Sequence, residues 1–314
     1  MYVIGGLYGN PFALDALLRL KQIEPDAQLV FNGDFNWFDI DDADFARINN
    51  EVLRHRAIRG NVETELLAED ATTGCGCGYP DYVSDADVAR SNAMMGTLSA
   101  TAKRQRGLSE RIAALPMNLV AEVRMDDANG SHDNALRVGI VHGDAESLAG
   151  WAFGEEAIAP AHMPGMFERA KVRVFASSHT CLPVGETYAT AQGVCALFNN
   201  GAAGMPNFSG TSCGLITRIS ALPAPRALGA LYGTVLEDSG RGVHLDCVPL
   251  HYDQAAWVKH FDQIWGADSP AALSYRKRIA AGPGYTLAQA MRGAVRSSDS
   301  VAHTYIAQRA ALAA

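Results

Sequence analysis

The sequence predicts an α/β fold, and three observations carry that prediction. Three short apolar runs near the start, Tyr2–Ile4, Leu29–Phe31 and Arg56–Ile58, each end in a break and lead into a helical pattern. After about residue 180 the rhythm changes to strands without intervening helices. The chain has 314 residues, 48% of them hydrophobic, enough for a sizeable core in one large or two smaller domains.

The elements follow in order. Tyr2–Ile4 reads as a strand, and Gly5, Gly6 and Gly9 then permit tight backbone paths. Asn10 before Pro11 is a helix start, with Phe12, Leu14, Leu17 and Leu18 on one face. Leu29–Phe31 is a buried strand broken at Asn32-Gly33, and Asp34 stands just past the break. A second helix spans 43–53, the strand Arg56–Ile58 breaks at Gly60-Asn61, and Glu63–Glu69 is helical in pattern. A glycine-rich loop from Thr73 to Pro80 carries Cys75 and Cys77; Ser84 with Asp87 then starts helical periodicity through Met95 and Leu98 and again over 108–115. Residues 62–116 therefore read as a helical insertion that covers the ligand-binding edge as a lid. Strands are expected at 119–123 and 136–141, joined by a polar hairpin loop (126–134), and at 172–176, 186–189, 194–198, 214–219, 231–236 and 243–250. Alternation over Val243–Cys247 suggests a half-exposed strand. The tail after Asp253 is helical with a break at Gly282-Pro-Gly284. This gives a core unit of 1–253 and a helical extension of 254–314 packed on it.

Charge and cysteine usage narrow the function classes. A net charge of −8 disfavours non-specific binding to nucleic-acid polymers or anionic membranes. No apolar run approaches the roughly 18 residues of a membrane span, and no signal core precedes Tyr2. The six cysteines form no compact disulfide framework, which points to a cytoplasmic protein with reduced thiols.

Four potential metal ligands lie just after expected strands: Asp34, Asn61, His142 and His179. A carboxylate, an amide oxygen and two imidazoles make a mixed O/N donor set that suits Mn, Fe or Zn. A single histidine after a strand is usually structural; four such donors in one α/β chain are harder to dismiss.

The order of these segments resembles the calcineurin-like metallophosphoesterase family. Its motifs run D-x-H, G-D-x-x-D, G-N-H-D/E, a lone His after a strand, and G-H-x-H. The counterparts here are Gly6-Leu-Tyr8, Gly33-Asp-Phe-Asn-Trp37, Gly60-Asn-Val-Glu63, His142 and Ser178-His-Thr-Cys181. The segment Asn199–Pro206 is similar to a sixth, strand-ending segment, so the resemblance covers residues 2 to about 253 apart from the insertion. It implies a four-layer α/β/β/α sandwich of two packed mixed sheets flanked by helices, with the helical cap added.

The resemblance further implies two adjacent metal sites bridged by Asp34. One keeps Asp34, Asn61, His142 and His179. The other has Gly6, Tyr8 and Cys181 where the family has Asp, His and His, and is expected to be lost, although Tyr8 and Cys181 could form an altered second site. The family's general acid is replaced by Val62, which cannot donate a proton. The expectation is therefore a hydrolase of a small phosphorylated compound or nucleotide, with one divalent ion per chain, water activated there as nucleophile, and weak activity. The competing expectation is a catalytically inactive member of the fold that serves as a binding or regulatory module.

Other candidates carry less. Cys75 and Cys77 could bind a metal or act in redox chemistry, but a loop packed over the ligand site explains them more simply. Arg59 and Arg90 could meet an anionic substrate, though isolated arginines usually lie on the surface. His162, His244, His251 and His260 lack metal-ligand spacing, and no P-loop or G-x-S-x-G elbow occurs. Substrate-binding residues and oligomeric state are not assigned by the sequence.

Overall fold

The computed structural model describes residues 1–68, 74–124, 135–154, 160–238 and 241–297. The expected hairpin loop over 126–134, the start of the glycine-rich loop at Thr73 and the tail beyond 297 lie outside these.

The first half alternates strands and helices: β1 (Tyr2–Ile4), α1 (Pro11–Leu20), β2 (Leu29–Asn32), α2 (Asp42–Val52), β3 (Arg56–Ile58) and α3 (Asn61–Glu65). The insertion supplies α4 (Asp85–Arg104) and α5 (Arg106–Ala113). There follow β4 (Asn118–Arg124), β5 (Ala135–Val141), α6 (Met163–Ala170), β6 (Val174–Ser177), β7 (Pro183–Thr190), β8 (Gly193–Asn200), β9 (Gly214–Ser220), β10 (Tyr232–Asp238) and β11 (Arg241–Leu250). The chain closes with α7 (Gln254–Ile264), α8 (Pro270–Ala281), α9 (Leu287–Ala290) and β12 (Arg296–Ser297). Helix α6 and strand β12 were not expected from the sequence.

Two mixed sheets pack face to face. One has the order β12-β10-β11-β9-β1-β2-β3, with β1, β2 and β3 mutually parallel; the other runs β4-β5-β6-β8-β7, with β5, β6 and β8 parallel. The two-residue period of a strand sorts the apolar side chains into layers. Tyr2 and Ile4, Leu29 and Phe31 face the helices, packing on Leu14, Phe45, Trp257 and Phe261. Val3, Val30 and Ile58 point the other way and meet Val138, Ile140, Val174 and Phe198 of the second sheet. The far face of that sheet is covered by Met163, Met166 and Phe167 of α6. The architecture is helix–sheet–sheet–helix, and strands buried on both faces explain the continuous apolar runs.

The caps follow the sequence signals. The Asn10 side chain accepts from the backbone N–H groups of Phe12 and Ala13, and Ser84 Oγ accepts from Asp87 N. Asp41 caps α2 in the same way.

Two expectations are corrected. Strand β11 is not half-exposed: it is an inner strand between β9 and β10, and the side chains on both its faces are buried, His244 and Asp246 as well as Leu245 and Cys247. Asp246 is accommodated there by Arg218, whose Nη1 donates to it at 2.9 Å while Nε and Nη2 grip Glu24. Nor are all the thiols free, because Cys75 and Cys77 form a disulfide. Among the described residues, no helix is long and apolar enough to cross a membrane.

Candidate metal centre

The parallel strands deliver their C-terminal ends to one edge of the sandwich, where catalytic and ligand-binding groups collect in α/β folds. Asp34 follows β2, Asn61 follows β3, His142 follows β5 and His179 follows β6. A hydrogen bond from Asn32 Nδ2 to the Val141 carbonyl (3.2 Å) ties the two sheets together directly beneath them.

The four side chains converge. His142 Nε2 lies 3.0 Å from Asn61 Oδ1, 3.3 Å from Asp34 Oδ1 and 3.1 Å from His179 Nδ1. The outer atom of each ring or amide is committed elsewhere. His142 Nδ1 is 3.0 Å from the Asn32 carbonyl, His179 Nε2 is 3.0 Å from the Cys77 carbonyl, and Asn61 Nδ2 donates to the Cys75 carbonyl at 2.9 Å. A carbonyl oxygen only accepts, so the protons sit on the outward nitrogens. Turned inward are then two imidazole nitrogens that can offer lone pairs to an ion and two oxygens, all buried and close together. Neighbouring donors on an ion with bonds of about 2.1 Å stand roughly 3 Å apart, so this spacing fits a metal. Backbone carbonyls that fix ring orientation from outside are the usual companions of histidine ligands.

Electrostatics agree with that purpose. Burial alone would raise Asp34, but the imidazoles of His142 and His179 hold it below the usual carboxylate range. Burial opposes a charge on His142, yet the Asp34 carboxylate lifts its pKa above the ordinary value. Burial and the nearby His142 push His179 down to about 4. Without an ion, the Asp34 carboxylate favours a proton on His142, and a cation would compete with that proton.

Glu63 is a residue whose role the sequence reading missed. Its carboxylate is fully buried beneath Asp34 and accepts from the backbone N–H groups of Asp34 (2.7 Å), Phe35 (3.0 Å) and Gly60 (2.9 Å) and from Asn36. Burial and the Asp34 charge push its pKa up to about 7. Every neighbour of both oxygens is nevertheless a donor, which favours the ionised form. The signal was present in Gly60-Asn-Val-Glu63, where Glu falls three residues into α3 and reaches back to the Gly60 N–H. Asp34 itself has φ +52°, a left-handed conformation that such anchoring must hold in place. A side chain at Gly60 would strike Asp34 Oδ1, which explains the glycine beside the ligand.

No protein-family model matches the sequence, and no curated protein sequence matches it either. Solved structures do. A hypothetical protein from Pyrococcus horikoshii aligns over 91% of this chain and 99% of its own, with TM-score 0.55 and 13% identity. A metallophosphoesterase from Sphaerobacter thermophilus aligns over 90% of this chain and 99% of its own, with TM-score 0.51 and 16% identity. The fold is that of a metallophosphoesterase.

Within that metallophosphoesterase fold, the three remaining positions of interest also come together. The Tyr8 hydroxyl and Cys181 Sγ share a 2.8 Å hydrogen bond, and the Tyr8 ring lies over Gly6. A Cβ at Gly6 would stand 2.8 Å from that ring, so the tyrosine occupies the space a side chain at Gly6 would need. Burial raises the pKa of both Tyr8 and Cys181; Cys181 and Asp34 push Tyr8 up further, whereas Arg278 and the Tyr8 hydroxyl offset part of the rise at Cys181. Two neutral hydrogen-bonded groups make a poor metal site. Tyr8 and Cys181 both take left-handed backbone conformations, with φ +54° and +62°.

A cavity of about 310 Å³ reaches the cluster at two of its donors, Asp34 and His179. Val62 lines it, as does Cys77 of the disulfide loop. The part of the insertion that reaches the site is therefore this loop, while α4 packs on α8. Trp151 Nε1 donates to the same Cys77 carbonyl that holds His179 (3.0 Å), and its ring stands 5.2 Å from His179. Arg59 and Arg90 do not line the cavity: Arg59 donates to the Ala113 carbonyl, and Arg90 pairs with Asp87 and Ser274. His162, His244, His251 and His260 lie outside the donor cluster.

Proposed function

We propose that this protein is a metal-dependent phosphoesterase-like hydrolase with a single ion site, acting on a small phosphorylated compound or nucleotide. The observation that carries the reading is the set of four inward donors whose outward atoms are all tied down. Asp34, Asn61, His142 and His179 would hold one divalent ion, Mn, Fe or Zn. Such an ion supplies Lewis-acid polarisation of a phosphoryl oxygen and lowers the pKa of water.

The chain's own residues set the rest. Asp34 compensates the positive charge, and Glu63 fixes the loop that presents it. Val62 gives the leaving group no proton, and general acid help is typically worth about 10²–10⁴-fold, so turnover should be slow. A belt of rings surrounds the cavity: Trp151 and Tyr79 are 5.9 Å apart, and Tyr275 and Trp37 are 6.3 Å apart. That lining suits a substrate with a planar ring, as a nucleotide has.

The test is to purify the protein, measure its metal content, and assay phosphomonoesters and phosphodiesters with added Mn against Asp34→Ala. About one ion per chain with slow, Asp34-dependent hydrolysis is expected. Absence of both metal and activity would sink the reading. A second reading, a non-catalytic binding module, is favoured by Val62 and by the Tyr8–Cys181 pair; it predicts ligand binding without turnover.

A further inference from the structure

We propose that Arg278 is the second cation of this site: it seats a phosphoryl group between its guanidinium and the ion held by Asp34, Asn61, His142 and His179. The proposal rests on the single-ion reading above and adds a substrate-binding residue to it.

Three observations carry it. Arg278 comes from α8 yet lines the same cavity as Asp34, His179 and Tyr8. Its guanidinium is anchored by backbone rather than by acid: Nη2 donates to the Cys181 carbonyl and Nε to the Pro206 carbonyl at 3.4 Å. Among the described residues no carboxylate pairs with it, so its charge remains available to a ligand. Finally, the Cys181 side chain meets Tyr8 at the wall of the same cavity, so the cation tied to the Cys181 carbonyl is fastened beside Asp34 and His179. Its field is felt there, since it counteracts the upward shifts of Tyr8 and Cys181.

The chemistry that fits is a phosphate ester carrying a planar ring. A planar guanidinium recognises two phosphoryl oxygens with parallel N–H bonds, which an ammonium cannot do. With one divalent ion and one guanidinium against the Asp34 carboxylate, the cavity is net positive and suits a dianionic phosphomonoester. The belt formed by Tyr79, Trp151, Trp37 and Tyr275 would take the ring.

The experiment measures inorganic phosphate and phenyl phosphate binding to the Mn-loaded protein by calorimetry, with metal content determined in parallel. Arg278→Gln keeps a donor for the Cys181 carbonyl but removes the charge. It is expected to weaken phosphate binding about 10- to 100-fold at unchanged metal content, with Arg278→Lys between the two. Phenyl phosphate should bind more tightly than inorganic phosphate to the wild type. Phosphate should also protect Arg278 from phenylglyoxal, read by peptide mass spectrometry, a measurement that needs no variant. Wild-type phosphate affinity in a folded, metal-loaded Arg278→Gln protein, or modification of Arg278 at an undiminished rate in saturating phosphate, would overturn the proposal. Arg278-dependent phosphate binding by a protein that takes up no metal would instead keep Arg278 and sink the ion reading.

Discussion

Tyr8 and Cys181, 173 residues apart in sequence, face each other at 2.8 Å beside Asp34. Each occupies a left-handed backbone position, and the Tyr8 ring fills the space above Gly6. Gly6, Tyr8 and Cys181 therefore form one packed unit.

Restoring that unit piecemeal should fail. Gly6→Asp alone places a Cβ against the Tyr8 ring, and overpacking of this kind costs about 1–3 kcal/mol. Gly6→Asp with Tyr8→His, Cys181→His and Val62→His removes the obstacle and supplies the missing groups. Thermal melts should show the single variant destabilised, and metal analysis should show two ions per chain in the fourfold variant, with raised phosphoesterase activity. One ion and unchanged activity would mean that the loop geometry no longer accepts the second site.

Glu63 should matter for stability as much as for metal binding. Glu63→Gln puts an amide N–H₂ against backbone donors from Asp34, Phe35 and Gly60. Leaving a buried donor unsatisfied costs about 1–3 kcal/mol, so the denaturant midpoint should fall and ion affinity with it. An unchanged midpoint would show that the Asp34 loop holds its conformation without this carboxylate.

Metal binding should displace a proton. In the metal-free protein His142 has a raised pKa, so it remains protonated at a pH where an unperturbed imidazole is largely neutral. That stabilisation is present below the unfolded value of about 6.5 and is lost as pH rises through the raised folded value. An ion competes with this proton, so below the folded pKa of His142 apparent affinity should fall about tenfold per pH unit. His179, depressed to about 4, adds nothing until the pH approaches that value. Calorimetry in buffers of different ionisation enthalpy should detect about one proton released per ion at mildly acidic pH. Proton-independent binding would contradict the Asp34–His142 pairing.

Trp151→Phe should loosen the roof of the site. The ring is retained, but the bond from Nε1 to the Cys77 carbonyl is lost, and that carbonyl orients His179. Supporting contacts of this kind typically change metal affinity 10–100-fold, and the lower end is expected here because His179 keeps its own bond. Equilibrium dialysis with Mn checks it; an affinity equal to wild type would show that the disulfide loop holds its position without Trp151.

Much of this was legible in the sequence, for a physical reason. Strand, break and helix signals involve residues close in the chain, so β1, α1, β2 and the caps at Asn10 and Ser84 could be read directly. The donors Asp34, Asn61, His142 and His179 each follow a strand, and parallel strands place their ends together. Helix α6 escaped because its short segment opens with Met163-Pro-Gly165, whose proline and glycine read as a chain break. Strand β11 was misread because alternation normally marks a wet face, whereas here Arg218 satisfies Asp246 inside the sheet.

The sequence by itself determined the α/β then β-rich order and the placement of the four donors just after strands. The tertiary structure alone decided what surrounds those donors: a Tyr8–Cys181 contact, Glu63 beneath Asp34, the Cys75–Cys77 loop overhead and Arg278 reaching in from 97 residues beyond Cys181. Those contacts depend on which loops the two packed sheets bring to one edge, and no local pattern of apolar and polar residues encodes that.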